Sequence, residues 1–424
     1  MSVLPGVLAV TATIVVSIVA IGLLGLPWAA VQARRSTAFT IGRVCLWWGL
    51  AMASALSLGA NQFLPLGDDR TAVLLLAAIG ISAVTGTGLL IGRRPVRDRS
   101  SHHRRHLLVI AALLLLLVML AIRALGPVTN YDTGLYHLGA ISYAQEYTAI
   151  PGLANLYFAY GYATSQFPLG ALLTWSPLGD EGYRTLNSII LVLACLDLVM
   201  RLLGRDRSAG KPVLLFGLAS VIFTMVPLAD YWLISPTQDA SVFVVTVVAG
   251  AYVSEALTTR RWIASASTSV ILALTAVTLR STMAIFALAV TTVVVVVVYR
   301  RRGREGDDSG IRTPVLLTLG LAAVTMALVT ARDYRLSGWL QYPLSLVAFD
   351  VPWRAADPTG ARLATLGAAR DPENLWVAAE SWSWIGAWWS RTLSAWELYA
   401  ALILVLATLM TSWILRPPRL VLLA

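Results

Sequence analysis

Residues 106–125 read HLLVIAALLLLLVMLAIRAL, an apolar run long enough to cross a bilayer as a helix. Runs of this kind recur from one end of the chain to the other. Lipid offers no hydrogen-bond partner to an exposed peptide group, so each run must satisfy its own backbone, and it can do so only as a helix. The expected fold class is therefore an all-α polytopic membrane protein. Eleven segments fit, at roughly 7–30, 41–60, 71–92, 107–126, 184–203, 212–233, 238–257, 262–279, 281–299, 313–331 and 397–415. Only 13% of the 424 residues are charged, about half of what a soluble domain carries.

The charge pattern orients the bundle. A net charge of +10 would suit a nucleic-acid binder, but the arginines fall in short tracts between apolar runs, which argues against that class. The connectors near 31–43, 93–106, 201–211, 258–261 and 300–312, with the C-terminal end, hold 22 of the 32 basic residues. One alternating topology puts all of them on one side. By the positive-inside rule that side is the cytoplasm, which gives an outward N-terminus and an inward C-terminus in a bacterial plasma membrane. The first segment, after MSVLPG, is too long for a signal peptide and lacks a basic head, so it reads as a retained span. Cys45 and Cys195 each lie inside an apolar run, giving no disulfide or metal framework. Three of the four histidines sit in the basic tract at 102–106, which rules out a histidine metal cluster. The chain divides into a three-helix extension (1–106), a membrane core with its outer loop (107–331), and a second loop with the last span (332–424).

Two outer connectors, about 127–183 and 332–396, are long and too apolar for disorder. LYHLGAISYAQEY has helical spacing and suits a helix lying at the interface. SQFPLGALLTWSPLG (165–179) is too short to cross easily and would be re-entrant or lie flat. LWVAAESWSWIGAWWS reads as a tryptophan-rich interfacial helix, with Trp376, Trp382, Trp384, Trp388 and Trp389 as anchors.

The first of these loops opens NYDTGLYHLGAISYAQEY (130–147), placing Asp132 at the membrane boundary. LISPTQDA delivers Asp239 to the same depth, and AVTLRSTMA delivers Arg280, the sole basic residue of 262–299. Arg332 opens the second loop at that level. Each has a plain structural role available. Asp132 and Asp239 suit helix N-caps, and Arg280 can snorkel to headgroups. Asp197 and Asp230 fall within or near spans and would face the bundle interior, Asp230 nearer the site. His137 reads as a packing residue. The chemical alternative is specific. A carboxylate in a lipid-facing cleft is a general base for a hydroxyl, and an arginine holds and stabilises a departing phosphate. No glycine-rich nucleotide fingerprint accompanies them, which suits a lipid-linked donor.

An outer loop with an early aspartate, an interfacial helix and many spans resembles the GT-C superfamily of integral-membrane glycosyltransferases. Within it, Tyr131, Asp132, Leu135, Tyr136, His137 and the Pro151–Asn155 segment are similar to a signature of a bacterial multi-span family. Gly338, Tyr342, Pro343, Phe349, Asp350 and Trp353 resemble its second signature, and Arg280 stands where that family often has a lysine. The resemblance covers roughly 107–360. It implies that Asp132, with Asp239, is catalytic. It also implies that Arg280, Tyr131, Tyr136, His137, Asn155, Arg332, Tyr342 and Asp350 serve the substrate and its phosphate. Here three spans precede the one that leads into the aspartate, so the core would begin at the fourth. The implied reaction moves a sugar from a polyprenyl-phosphate donor to a cell-envelope glycan or lipid acceptor. Membrane lipids are further partners, nucleic acid is not, no cofactor is fixed, and a divalent metal is left open. The rival classes are a transporter or flippase, and a polysaccharide polymerase or ligase using lipid-linked substrates.

Overall fold

The structure is a computed structural model describing residues 3–32, 37–91, 103–203, 210–259, 262–305, 309–344, 346–395 and 399. Apart from isolated Tyr399, the expected span at 397–415 lies outside the described residues. So do most of the basic tract at 93–102 and residues 204–209, 260–261 and 306–308.

The described chain is helical, with one isolated bridge between Trp339 and Ala348. Four long helices come first: α1 (Val3–Gln32), α2 (Ala38–Phe63), α3 (Asp69–Leu90) and α4 (His103–Ala124). The first large loop follows, carrying α5 (Leu138–Glu146) and α6 (Gln166–Leu172). Next come α7 (Leu186–Leu203), α8 (Gly210–Thr224), the single turn α9 (Ala229–Trp232), α10 (Gln238–Thr258), α11 (Trp262–Leu279), α12 (Ala284–Glu305) and α13 (Ser309–Ser337). The second loop carries α14 (Thr359–Arg370), α15 (Leu375–Glu380) and α16 (Trp384–Ser394). Among the described residues, eight helical segments are long and apolar enough to cross a membrane, and Ile110–Ala124 and Gly210–Thr224 are shorter apolar helices.

Two expectations need correcting. The segment 212–233 is not one helix. α8 stops at Thr224, and Pro227, which has no N–H to donate, sits in the turn before α9. The tryptophan-rich stretch is also split. Ser381 Oγ bonds back to the Val377 carbonyl (2.7 Å) and accepts the Ser383 N–H (3.3 Å), so the chain turns between α15 and α16. Arg370 lies over the Trp384 ring (5.0 Å), while Trp376, Trp382, Trp388 and Trp389 are exposed.

Small residues set the close crossing of α1 and α2. A methyl group on Gly25 would overlap the Cys45 carbonyl, and one on Gly49 the Ile21 carbonyl. Farther along, α2, α7 and α10 meet at the end of the bundle that carries the basic tracts, and there they bury four charges. Arg43 Nη1 and Nη2 donate to the two Glu255 oxygens (3.2 and 3.1 Å). Arg201 Nη1 donates to Glu255 (2.6 Å), and Arg201 Nε pairs with Asp197. Trp47 Nε1 donates to the other Asp197 oxygen (2.6 Å), and the Tyr252 ring lies under both guanidinium groups. Asp197, expected to face the interior, does so, fully buried.

The opposite end carries both loops. α6 neither crosses nor lies on a surface. It is buried against α2 and α5, and seven residues at 1.5 Å each span only about 10 Å. α5 is stitched to the end of α2. Leu66 N donates to Ala144 O (2.8 Å), Gly67 N to Gln145 O (2.9 Å), and Asn61 Nδ2 to Tyr147 O (2.9 Å). The two loops are joined by Gly152 N to Arg335 O (2.8 Å) and Asn155 Nδ2 to Trp353 O (2.9 Å).

The buried charges make a sharp prediction. Glu255→Met leaves two arginines to share the single Asp197 carboxylate and should cost about 3–5 kcal/mol. Arg43→Met/Glu255→Met leaves Arg201 with Asp197 and should recover most of that loss. Thermal unfolding in detergent measures both. A double variant no more stable than Glu255→Met would show that the four charges do not act as one neutral unit.

Candidate functional site at the loop end

Three turns meet at the loop end. The first begins at Asn130, whose side-chain oxygen accepts the Asp132 N–H (3.0 Å) and whose carbonyl accepts the Thr133 N–H (3.1 Å). Asn130 thus starts the helix, and Asp132 is already inside it, at φ −63° and ψ −22°, with no capping bond from its carboxylate. The simple capping role for Asp132 is therefore not the one it plays. Residues Thr133–His137 form a π turn, in which Leu138 N donates to Thr133 O. The wider turn re-aims the side chains ahead of α5.

The second turn is Ser235–Asp239. Thr237 caps α10, with its hydroxyl facing the Asp239 N–H (3.5 Å) and Asp239 Oδ2 (3.4 Å), and Asp239 lies in the first helical turn. The third is the α11–α12 turn. Arg280 leaves α11 in extended geometry, and a 3₁₀ turn at Ser281–Met283 leads into α12. Its guanidinium forms an ion pair with Asp239, each side chain nearly half exposed (46% and 45%).

A buried polar floor holds the three turns together. Asn187, near the start of α7, points its Nδ2 at the carbonyls of Trp232 (3.0 Å), Ser235 (2.8 Å) and Thr237 (3.0 Å). Its oxygen accepts from Gln166 Nε2 (3.0 Å) and from Ser241. Gln166 also reaches Thr237 O (3.1 Å). Thr133 and Ser235 share a hydroxyl bond (2.8 Å), tying the first turn to the second. Thr164 Oγ donates to Leu279 O (2.7 Å) and Ser165 N to Thr278 O (2.8 Å), tying the first loop to the third turn.

Tyrosines surround the charges. Tyr136 lies in the field of both Asp132 and Arg280. Burial, and after it the Asp132 charge, raise its phenol well above the ordinary range. Burial raises Tyr162 to about 12, against a smaller pull from Arg280. Burial, Asp132 and Tyr131 raise Tyr157. These phenols are protonated donors at neutral pH. Partial desolvation pushes the Asp132 carboxyl above its usual value. Burial holds His137 down to about 4, so its imidazole is neutral, packed edge-on to Tyr136 (4.4 Å).

Of the residues singled out in the sequence, Asp132, Tyr136, His137, Asp239 and Arg280 therefore gather here, with Tyr131 largely exposed beside them (77%). Asp230 braces the first turn, its carboxylate accepting from Thr129 Oγ (3.0 Å). The others lie at the junction of the two loops. Arg332 is buried and donates to Asn61 Oδ1 (2.6 Å). Asn155 holds Trp353 O, Tyr342 packs on Tyr162 (6.0 Å), and Asp350 is exposed. Among the described residues no group of three or more His, Cys, Asp or Glu side chains is arranged to hold a metal ion. Asn187 and Gln166 escaped the sequence reading, although an asparagine beside an apolar run (RTLNSIILV) is a visible signal.

A separate cavity of about 690 Å³ lies between α5 and the α2–α3 turn. Its lining includes Ile141, Gln145 and the carboxylates Asp68, Glu146, Asp180 and Glu181, an anionic wall ill suited to a phosphate.

Because the Asp132 carboxylate is partly desolvated, although the residue is exposed, and caps nothing, it should cost a little stability when ionised. Asp132→Asn should raise the thermal midpoint at pH 7.5. The gain should shrink as pH falls through the parent's raised pKa and be lost below the carboxyl's ordinary range, where both the folded and unfolded states are protonated. A variant less stable than the parent at pH 7.5 would mean the carboxylate has a structural bond to lose.

No curated protein and no solved structure matches the chain. Residues 6–421 match the family described as Domain of unknown function (DUF8201). With the match running over nearly all of its length, this multi-span helical membrane protein belongs to the DUF8201 family.

Proposed function

We propose that the Asp132–Asp239–Arg280 cluster is the active site of a glycosyltransferase facing the outer side of the membrane. It would move a sugar from a polyprenyl-phosphate donor to a glycan or lipid acceptor of the cell envelope. The observation that carries this reading is the Arg280 guanidinium, which already engages the Asp239 carboxylate, while Tyr136 lies in the field of both Arg280 and Asp132, an aspartate that serves no cap. In the reaction, the acceptor oxygen bonds to the anomeric carbon as the bond from that carbon to the phosphate oxygen breaks. Asp132 takes the acceptor proton, and Arg280 stabilises the charge left on the lipid phosphate. Protonated Tyr136 and Tyr162 supply neutral hydrogen-bond donors around the two charges. The likeness of these turns to the GT-C pattern supports the same assignment. That resemblance implies a catalytic core from the fourth segment onward, while in the structure Asn155 and Tyr342 lie at the loop junction and Asp350 is exposed.

A polymerase or ligase acting on lipid-linked glycans would use the same chemistry and differs only in the size of the acceptor. A transporter is disfavoured by how the polar groups are distributed. The buried charges at the far end of α2, α7 and α10 pair with one another. Between them and Asn187, α7 presents the buried apolar run Ile189–Ala194, which offers a solute no polar group along that helix.

The test is single-turnover transfer in liposomes from a panel of polyprenyl-phosphate sugars. Asp132→Asn should lower the rate by about 10²–10⁴ while the donor still binds. Arg280→Lys should retain part of the rate, since charge survives and the fork does not. Full turnover by Asp132→Asn removes this aspartate from the mechanism.

A further inference from the structure

Asp239 and Arg280 are counted above as two parts of one site, yet each occupies the other. The carboxylate sits in the first turn of the 21-residue helix α10, where the positive end of the helix dipole favours an anion. It also sits on the guanidinium. An anion held by a helix start and an arginine is in the setting a phosphate would need. We propose that Asp239 is an internal stand-in for the donor phosphate. It holds Arg280 when no phosphate is bound and gives it up when the lipid phosphate arrives. This rests on the reading of Arg280 as the phosphate-binding residue.

Three features support an exchange over a permanent pair. Both side chains are nearly half exposed, so the pair is screened by water and weak. The two partners differ in freedom. Asp239 is fixed by its helix and by the Asn187–Thr237 floor, whereas Arg280 is a long side chain on a one-residue link between α11 and a 3₁₀ turn. Released Asp239 is also not left without a donor, since its Oδ2 already accepts from the Thr237 hydroxyl (3.4 Å), a bond that does not involve Arg280. The charge balance gives the exchange its consequence. Asp132, Asp239 and Arg280 together carry one net negative charge, so a phosphate must both displace Asp239 and tolerate it nearby. A phosphate tethered in the bilayer meets that cost at high local concentration, while free phosphate in the surrounding water does not. The pair would thus keep inorganic phosphate out of a lipid-phosphate site.

The prediction has an unusual sign: removing a carboxylate from the site should improve binding. Full-length protein in detergent micelles is titrated with a short-chain polyprenyl monophosphate and, separately, with inorganic phosphate. Asp239→Asn, which keeps size and leaves the Thr237 cap in place, should bind the lipid phosphate about two- to fivefold tighter than the parent, the range expected from freeing an exposed ion pair. It should also gain measurable affinity for inorganic phosphate. Asp239→Ser should do the same, and Asp239→Asn/Arg280→Ala should lose both gains. If both Asp239 variants bind like the parent or more weakly while Arg280→Ala loses binding, the exchange is wrong and the arginine's role stands. If Arg280→Ala binds the lipid phosphate as the parent does, the phosphate-binding role of Arg280 and the exchange fall together.

Discussion

Two arginines, an aspartate and a glutamate that never reach water fix the arrangement of this bundle. Within a membrane such charges are tolerable only as a closed, mutually satisfied group. Arg43, Asp197, Arg201 and Glu255 form that group across α2, α7 and α10. A charge group of this kind has one workable register, because sliding any helix by a turn would strand a charge in apolar surroundings. The same three helices run to the loop end. There the Asn61 side chain of α2 and the Asn187 side chain of α7 donate to loop carbonyls, and the Thr237 carbonyl at the start of α10 accepts from the Gln166 side chain. The candidate site is thus built on helices whose relative heights are set at the opposite end of the bundle.

At the loop end the logic changes from charge pairing to amide and hydroxyl bonding. Asn187 gathers the carbonyls of Trp232 at the end of α9 and of Ser235 and Thr237 in the turn that follows, and the Thr133–Ser235 bond carries that order to Asp132. The groups that would touch substrate are left less constrained than those beneath them. Asp132 has no capping bond, Arg280 is half exposed, and Tyr131 points largely into open space. Rigid support under mobile charge suits a site that must exchange partners, and it fits the helical loop ends where binding residues tend to collect.

Much of this was legible in the sequence, and the gaps have physical causes. Apolar run length marked the long helices, and turn position put Asp132, Asp239 and Arg280 at one depth. Hydropathy gives depth and not lateral position, so the pairing of Asp239 with Arg280 and the distance of Arg332 and Tyr342 from them needed the packed structure. Arg43 and Arg201 read as members of basic connectors, because a sequence does not say whether an arginine near a helix end turns toward headgroups or inward to a carboxylate. Glu255 had the same ambiguity. The break after Thr224 was announced by Pro227, but the apolar residues around it disguised a turn as a continuous span. The π turn at Thr133–His137 had no local signal, since packing of Thr133 on Ser235 stabilises it.

The account stands on the convergence of three turns around a lipid phosphate. The most direct measurement is a cryo-electron microscopy structure of the protein in a lipid nanodisc containing a polyprenyl monophosphate. The account predicts phosphate density within hydrogen-bond reach of Arg280, the guanidinium released from an Asp239 carboxylate that stays on Thr237, and Asp132 facing the phosphate across an open cleft. Phosphate density elsewhere, with Arg280 still paired to Asp239, would contradict it.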